Sequence, residues 1–286
     1  MCFWIIGCQT SNLEPMPTPN ELLIIAEAAA ARAAEIQVAK YHDVFTKGED
    51  LSIQTKSSDT DFVTETDAKC QEDMIAIIQD AYPDHRFIAE ETGADSLGSS
   101  DSPYEWIIDP LDGTNNFIHG KPNFGTCVAV QKDGVLEAGV MIMPMVNHHF
   151  SAAKGGGALV NGKPVKLRNT GSMNDSILSC NIMRRAVEHE NGAWYASMPF
   201  ASSVENYGCA AQEMGEMLLG WNDGAFFKGI RIWDIAPGCL MMEEAGGKYR
   251  YEWEEPGNPR GGLLVVASTP PIFDELCDFV FEKKLT

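Results

Sequence analysis

Hydrophobic positions recur with a helical period in two stretches near the start of the chain. Residues 18–21 (TPNE) have the form of a capping box with proline at the first helical position, and an alanine-rich stretch follows to about Lys40. Between residues 66 and 81, apolar side chains fall on one helical face, and Pro83 ends the run. These side chains are Cys70, Met74, Ile77, Ile78 and Ala81. The pattern predicts two amphipathic helices.

Short apolar runs separated by polar turns follow in the middle of the chain. They cover residues 87–89, 106–108, 126–130 and 135–142, and this texture predicts strands. The tripeptide KDG at 132–134 predicts a hairpin between the last two runs, and Asn161-Gly162 predicts another. The first part of the chain therefore reads as helices plus a largely antiparallel sheet.

From about residue 172 strands and helices alternate. The predicted strands are 177–180, 225–227 and 263–267, and the predicted helices are 209–219, 234–245 and one from Pro271. We divide the chain into a leader (1–16), an N-terminal α+β half (17–170) and a C-terminal α/β half (171–286), joined at the polar residues 168–172.

Charge narrows the classes of partner. The chain of 286 residues carries 21 Lys and Arg against 41 Asp and Glu, a net charge of −20. Such a surface repels phosphate backbones and anionic lipid, which disfavours a nucleic-acid polymer as partner. A small phosphorylated metabolite stays possible if a local cation, such as a bound metal, holds the phosphate.

The cysteines and the hydropathy of the chain indicate in which cellular compartment the protein resides. The eight cysteines are scattered without a CxxC pair, which is typical of reduced thiols in a cytoplasmic protein. No apolar run approaches the roughly 20 residues of a membrane span, so we expect no membrane partner. Residues 1–8 faintly resemble a lipid-attachment site but lack a basic region. We expect a flexible leader, or a true start at Met16.

Acidic residues concentrate at predicted strand ends and helix starts. An apolar strand ends in Asp109, Asp112 lies three residues on, and Gly113 and Thr114 open a helix. Paired carboxylates supply the hard oxygen ligands that Mg²⁺ takes, and free N–H groups at a helix start can bind phosphate. The alternative is an ordinary acidic turn with Asp112 as the N-cap.

Three further acidic segments are weak signals when taken singly. Glu90 and Glu91 follow a short strand, Asp234 precedes a helix, and the polar loop from Lys56 runs to Asp67. Each has an ordinary alternative: a solvated loop, a helix N-cap and a simple connection.

Together, the four segments resemble the inositol monophosphatase family, within the Mg²⁺-dependent, lithium-sensitive phosphatases that include fructose-1,6-bisphosphatases. The residues that carry the resemblance are DPLDGT at 109–114 with Asn116, Phe117, His119 and Gly120, and WDIA at 233–236 with EAGG at 244–247. The resemblance runs from about residue 20 to 270. It implies a layered α-β-α-β-α sandwich, homodimers and lithium inhibition.

The resemblance also implies roles for individual residues. Glu90, Asp109 and the Leu111 carbonyl would hold one Mg²⁺, and Asp109, Asp112 and Asp234 would hold a second. A third, more weakly bound ion would contact Glu90 through a water molecule. Asp67 and Thr114 would position and deprotonate the attacking water, and Lys56 would act electrostatically. The N–H groups of Gly113 and Thr114 would bind the phosphate, and residues Gly208, Cys209 and Ala210 would line the substrate pocket.

The chain departs from the family pattern at the substrate end. Inositol-specific members have a Glu seven residues before the second-signature Asp, and here that position is Phe227. Phe cannot accept hydrogen bonds from inositol hydroxyls, while Lys228 adds positive charge nearby. Cys209 stands where Thr or Ser is more usual, and Ala89 stands where Gly usually precedes the metal-binding Glu.

Three functions remain open at this stage. The first is an Mg²⁺-dependent phosphomonoesterase of a small polyol or sugar phosphate, such as inositol 1-phosphate. The second is a phosphatase of a bisphosphorylated substrate, such as fructose 1,6-bisphosphate or 3′-phosphoadenosine 5′-phosphate. The third, a catalytically silent relative, predicts loss of a metal carboxylate or of Thr114, and neither is lost.

Overall fold

The computed structural model describes residues 16–51, 53–55, 62–181 and 201–282. The predictions for residues 1–15 therefore lie outside the described residues. The helices are α1 (Pro19–Lys47), α2 (Glu65–Ala81), α3 (Thr114–Ile118), α4 (Ala210–Leu218), α5 (Ile232–Glu244) and α6 (Pro270–Cys277). Short 3₁₀ turns at Pro144–Val146 and Met173–Asp175, and a π-turn at Asp278–Glu282, complete the helical segments of the described part.

The strands form three sheets. In chain order they are β1 (Gln54–Thr55), β2 (Phe62–Val63), β3 (Arg86–Ala89), β4 (Tyr104–Asp112), β5 (Gly125–Lys132), β6 (Val135–Met143), β7 (His148–Ala153), β8 (Ala158–Val160), β9 (Lys163–Pro164), β10 (Ile177–Cys180), β11 (Ser203–Glu205), β12 (Gly224–Ile230), β13 (Lys248–Trp253) and β14 (Leu263–Ser268). Strands β3 to β9 form a seven-stranded sheet in sequence order, with only the β3–β4 pair parallel. A second sheet has the order β11-β10-β12-β14-β13, and β1 pairs with β2.

The elements stack in five layers, which confirms the predicted α-β-α-β-α sandwich. Helices α1 and α2 pack on one face of the seven-stranded sheet, around a core that includes Leu22, Met74 and Trp106. Helices α4 and α5 lie between the two sheets, where Met214 and Leu240 are fully buried or nearly so. Helix α6 covers the outer face of the second sheet. The interior between the sheets is therefore helical.

Local sequence signals account for the helix boundaries near the start. Thr18 caps α1 with the predicted capping box, and α2 ends at Ala81, before Pro83. Helix α1 continues beyond the predicted Lys40 to Lys47, because Tyr41 and Val44 pack beside the apolar cluster of Phe117 and Phe124. Tertiary packing thus extends the helix past its alanine-rich part.

Both predicted hairpins are confirmed. Asp133 and Gly134 have φ values of 50° and 80°, and Asn161 and Gly162 have 49° and 73°. Two consecutive positive φ values are the mark of the two-residue turn that suits a right-twisted hairpin.

In the second part of the chain, strands and helices do not alternate throughout as predicted. Strands β13 and β14 follow each other without a helix, and β14 pairs antiparallel with both β12 and β13. The two large sheets take up residues 86–164 and 177–268, on either side of the proposed join near residue 170. Among the described residues, no helix is long and apolar enough to cross a membrane.

Candidate metal centre and active site

The end of strand β4 carries two of the predicted metal ligands. Asp109 pairs with Cys127 and Asp112 with Gly125 across an irregularity in the β4–β5 ladder. Gln37, buried on α1, donates hydrogen bonds to the carbonyls of Pro110 (2.7 Å) and Gly125 (3.2 Å), which lie at this irregularity. The bulge lets both carboxylates turn to the same side of the sheet edge.

Gly113 sets the entry to α3. It is the N-cap, with φ 85°, so the alternative of Asp112 as N-cap is wrong. A Cβ at this position would lie 2.8 Å from the Asn123 carbonyl oxygen and 3.1 Å from the Cys209 Cβ. Both the backbone angle and the close approach therefore require glycine.

Thr114 connects the loop to helix α2. Its Oγ1 lies 3.2 Å from Asp67 Oδ1 and 3.0 Å from the Leu111 carbonyl oxygen. Asp67 is fully buried, and its other oxygen accepts hydrogen bonds from the Thr64 amide (2.8 Å) and hydroxyl (2.6 Å) in the capping box of α2. The box fixes Asp67 so that one oxygen faces Thr114.

Helix α5 brings the third carboxylate from the other part of the chain. Asp234 lies in its first turn and accepts from the Arg231 amide at 3.0 Å, so it is not the N-cap that the ordinary alternative requires. Carboxylate oxygens of Asp109, Asp112 and Asp234 all lie within 4.8 Å of one another. The structure thus brings together three predicted ligands that are up to 125 residues apart in sequence.

Glu90 approaches the same point from β3. Because β3 lies parallel beside β4, both strands end at one edge of the sheet, and the Glu90 amide donates to the Ile108 carbonyl at 3.1 Å. Burial is the largest cause that raises the pKa of Asp109, Asp112 and Asp234, and the charge of Glu90 raises each of them further. The Glu90 carboxylate therefore acts on the cluster, although it is not among the three carboxylates that lie within 4.8 Å of one another.

Electrostatics makes this cluster unfavourable without a cation. Burial raises the pKa of Asp109 well above its usual range, and the charges of Glu90, Asp234 and Asp112 raise it further. Burial likewise raises the pKa of Asp112 and of Asp234. Full charges 4.8 Å apart repel by about 3.5 kcal/mol per pair at an effective dielectric of about 20. A divalent cation converts that repulsion into attraction.

The start of α4 holds Asp112 from the opposite side. Asp112 Oδ2 accepts from the Ala211 amide at 2.5 Å and from the Cys209 thiol at 3.2 Å. These two hydrogen bonds leave the second oxygen of Asp112 for a ligand. The predicted pocket residues Gly208, Cys209 and Ala210 thus lie beside the carboxylate cluster.

Two side chains that sequence reasoning did not assign hold the turn before α4. Buried Glu213 accepts from the amides of Tyr207 (2.8 Å) and Gly208 (3.2 Å), and Asn116 donates to the Tyr207 carbonyl at 2.8 Å. Burial raises the pKa of Glu213 to about 8. Asn116 stands within the DGTNNF run, which was the available signal; Glu213 and Gln37 could have been noticed as polar residues on otherwise apolar helix faces.

The structure buries Phe227 fully. Its ring joins the apolar cluster between the sheets, with Cys209, Ala210 and Met214 among the members. Lys228 is half-buried, and its backbone exchanges hydrogen bonds with Asn181. Lys56 lies outside the described residues, so its predicted role stays a prediction.

The donor set fits Mg²⁺ better than a softer metal. The cluster offers carboxylate oxygens and the nearby Leu111 carbonyl, which are hard ligands. Two thiols adjoin it. Burial raises the pKa of Cys127 and Cys209 well above the ordinary value, and these thiols donate to the Asp234 carbonyl and to the Asp112 carboxylate.

Comparison with known proteins agrees with this geometry. The model of the inositol monophosphatase family matches residues 18–277. A protein named Nus factor SuhB from Pasteurella multocida is 34% identical over 231 residues, covering 80% of this chain and 84% of the relative. An inositol-1-monophosphatase from Mesorhizobium japonicum is 33% identical over 190 residues, covering 65% of this chain and 71% of the relative.

Solved structures give the same result for the fold. The extragenic suppressor protein suhB from Bartonella henselae superposes with a TM-score of 0.78 at 25% identity, over 92% of this chain and 99% of that one. An inositol monophosphatase from Anabaena superposes with a TM-score of 0.74 at 27% identity, over 92% and 96%. The family match, the shared fold and the clustered carboxylates agree: the chain belongs to the inositol monophosphatase family of phosphatases.

Proposed function

We propose that this protein is a Mg²⁺-dependent phosphomonoesterase that hydrolyses a small polyol or sugar phosphate of the inositol 1-phosphate kind. The observation that carries the proposal is the cluster of Asp109, Asp112 and Asp234 within 4.8 Å, beside the Thr114–Asp67 contact of 3.2 Å. Charge-dense oxygens and a proton acceptor at one point suit attack of water on a phosphate.

Two or three Mg²⁺ ions would occupy the site. Glu90, Asp109 and the Leu111 carbonyl would hold one, and Asp109, Asp112 and Asp234 a second, so that Asp109 bridges; a third would be held more weakly near Glu90. When bound, the ions would neutralise phosphate charge and lower the pKa of a water molecule. The remaining work falls to the protein's own side chains and backbone.

Thr114 and Asp67 would handle the proton of the attacking water. Thr114 Oγ1 would accept a hydrogen bond from that water while donating its own proton towards Asp67, which the capping box of α2 holds in place. The amides of Gly113 and Thr114 would bind the phosphate oxygens. Fixing water and phosphate in line supplies much of the catalysis in such sites.

The structure does not bring Phe227 to the substrate. Its ring is buried among apolar side chains between the sheets, so the absence of a Glu at this position removes one acceptor for inositol hydroxyls but adds no contact of its own to the leaving group. A bisphosphorylated substrate is the second candidate, because Lys228 adds positive charge next to Phe227. We further propose that the protein is cytoplasmic and that it forms a homodimer. Light scattering of the purified protein would test the oligomeric state.

The test is phosphate release by the purified full-length protein with Mg²⁺, compared across four substrates. These are inositol 1-phosphate, fructose 1,6-bisphosphate, 3′-phosphoadenosine 5′-phosphate and histidinol phosphate. Highest kcat/KM on inositol 1-phosphate supports the first candidate, and highest kcat/KM on a bisphosphate supports the second. No release from any of them, with Mg²⁺ bound, would favour a silent relative that serves another role, as the name Nus factor suggests for some relatives.

A further inference from the structure

Arg260 contacts both the segment that carries Glu90 and the segment that carries Asp234. It belongs to the loop between β13 and β14, yet its guanidinium reaches the segment that follows β3. Nε and Nη2 donate to the two carboxylate oxygens of Asp95 at 3.1 and 2.9 Å, and Nη1 approaches the Glu90 carbonyl oxygen at 3.4 Å. Arg260 therefore contacts the backbone of Glu90 and the side chain of Asp95, five residues further along the chain.

The same side chain contacts the start of α5. The guanidinium lies over the ring of Trp233, 5.6 Å from its centroid, and Trp233 immediately precedes Asp234. The Arg260 carbonyl accepts from Arg231 Nη1 at 2.9 Å, one residue before α5 begins. Arg260 thus touches both the Glu90 segment and the Asp234 segment.

The Glu90 segment is also held from its own side. Gln71 of α2 exchanges hydrogen bonds with the backbone of Glu91, at 3.0 and 3.1 Å, and Ala94 is buried. Those contacts hold the segment against α2. Ile88, at the end of β3, packs on the apolar cluster that includes Trp233 and Ala236 of α5. Arg260 adds a polar contact between Asp95, the Glu90 carbonyl and the Trp233 ring.

We propose that Arg260 is a positioning residue that sets the distance between Glu90 and Asp234 and so determines the affinity for Mg²⁺. The inference rests on the proposed function, since it concerns the same site. An exposed ion pair alone contributes little to stability, so the effect should appear in metal binding and not in folding. A planar guanidinium is needed, because an ammonium cannot bridge both Asp95 oxygens and the Glu90 carbonyl in one fork.

The test compares Arg260→Gln, Arg260→Lys and a matched control, Arg250→Gln, in the full-length protein. Arg250 lies on β13, where it pairs with Glu252 and covers the Phe281 ring, away from the cluster. Calorimetric titration of Mg²⁺ into the metal-free protein gives affinity, thermal melting without metal gives stability, and phosphate release against Mg²⁺ concentration gives kcat and half-saturation.

We expect Arg260→Gln to weaken Mg²⁺ binding about tenfold, the lower end for residues that orient metal ligands. Half-saturation by Mg²⁺ should rise equally, with kcat at saturating Mg²⁺ within about twofold of wild type. Arg260→Lys should fall between, and Asp95→Asn combined with Arg260→Gln should be no weaker than Arg260→Gln alone. Arg250→Gln should leave Mg²⁺ affinity unchanged.

Unchanged Mg²⁺ affinity in Arg260→Gln would overturn the inference, whether or not the metal-free protein melts lower. Failure of the proposed function is distinguishable. If Arg260→Gln weakens Mg²⁺ binding and wild type releases phosphate from no substrate, the positioning role stands and the phosphatase proposal falls. If wild type binds no Mg²⁺, both fall.

Discussion

Removing one charge from the carboxylate cluster should stabilise the metal-free protein while abolishing its function. In Asp112→Asn, the new amide oxygen can still accept from the Ala211 amide that Asp112 engages at 2.5 Å. The substitution therefore changes charge with little change of shape. Few substitutions of a buried polar side chain are expected to raise stability, so the direction of the effect is diagnostic.

The magnitude follows from the pKa of Asp112, which burial raises from 3.8 to about 6. That difference corresponds to about 3 kcal/mol of unfolding free energy lost above pH 6. The sign is set by proton binding: between the two pKa values the folded state binds more protons, so stability falls as pH rises. Because the neighbouring carboxylates redistribute protons, we expect Asp112→Asn to recover only part of this, on the order of 1 to 2 kcal/mol, or a few degrees in Tm.

The assay is thermal melting with a chelator at pH 5 and pH 8, then with Mg²⁺. At pH 8 without metal, the melting temperature of Asp112→Asn should be higher than that of wild type, and this difference should shrink at pH 5. With Mg²⁺, the melting temperature of wild type should rise above that of the variant. Asp84→Asn, at an exposed acid, is the control for loss of one negative charge and should not reproduce the rise in melting temperature at pH 8. A variant that melts lower than wild type at pH 8 without metal would refute the electrostatic reasoning.

Three further substitutions test other parts of the site. Gly113→Ala should lower the unfolding free energy by about 2 kcal/mol in a denaturant titration, because φ is +85° and a Cβ would lie 2.8 Å from the Asn123 carbonyl; an unchanged midpoint would contradict this. Thr114→Ala should reduce kcat by about 10²-fold with Mg²⁺ half-saturation unchanged, and Thr114→Ser should restore most of it; equal loss in both would argue against a role for the hydroxyl. Phe227→Glu should cost more than about 3 kcal/mol by burying a carboxylate in an apolar cluster, without raising turnover of inositol 1-phosphate; a gain in turnover would mean that this side chain faces substrate.

Sequence patterns predict the parts of this fold that local chemistry determines. The capping box at Thr18, the turn at Asp133 and the acidic signatures around Asp109 each depend on neighbours within a few residues, and the structure has the predicted elements there. Strand β13 escaped prediction because it is an edge strand with mostly exposed side chains, so its hydrophobic alternation is weak. Strand β7 was also not predicted, although it lies between β6 and β8 and most of its residues are buried.

Contacts between distant segments could not be predicted from periodicity. The approach of Asp234 to Asp109 was expected only through family resemblance, and the contact of Arg260 with Asp95 spans 165 residues without a local signal. Phe227 was recognised as a departure, but only the packed structure shows that its ring belongs to the core. Burial of a side chain by a remote helix leaves no mark on the side chain's own sequence neighbours.

The most direct test of the central claim is phosphate release from inositol 1-phosphate and the bisphosphates as Mg²⁺ is removed and returned, in wild type and in Asp109→Asn. Asp109 is the carboxylate that would bridge both ions, and Asn removes its charge at nearly constant shape. The account predicts release by wild type that a chelator abolishes and Mg²⁺ restores, and release at least about 10³-fold lower in Asp109→Asn at every Mg²⁺ concentration. Release that survives the chelator, or that Asp109→Asn retains, would contradict it.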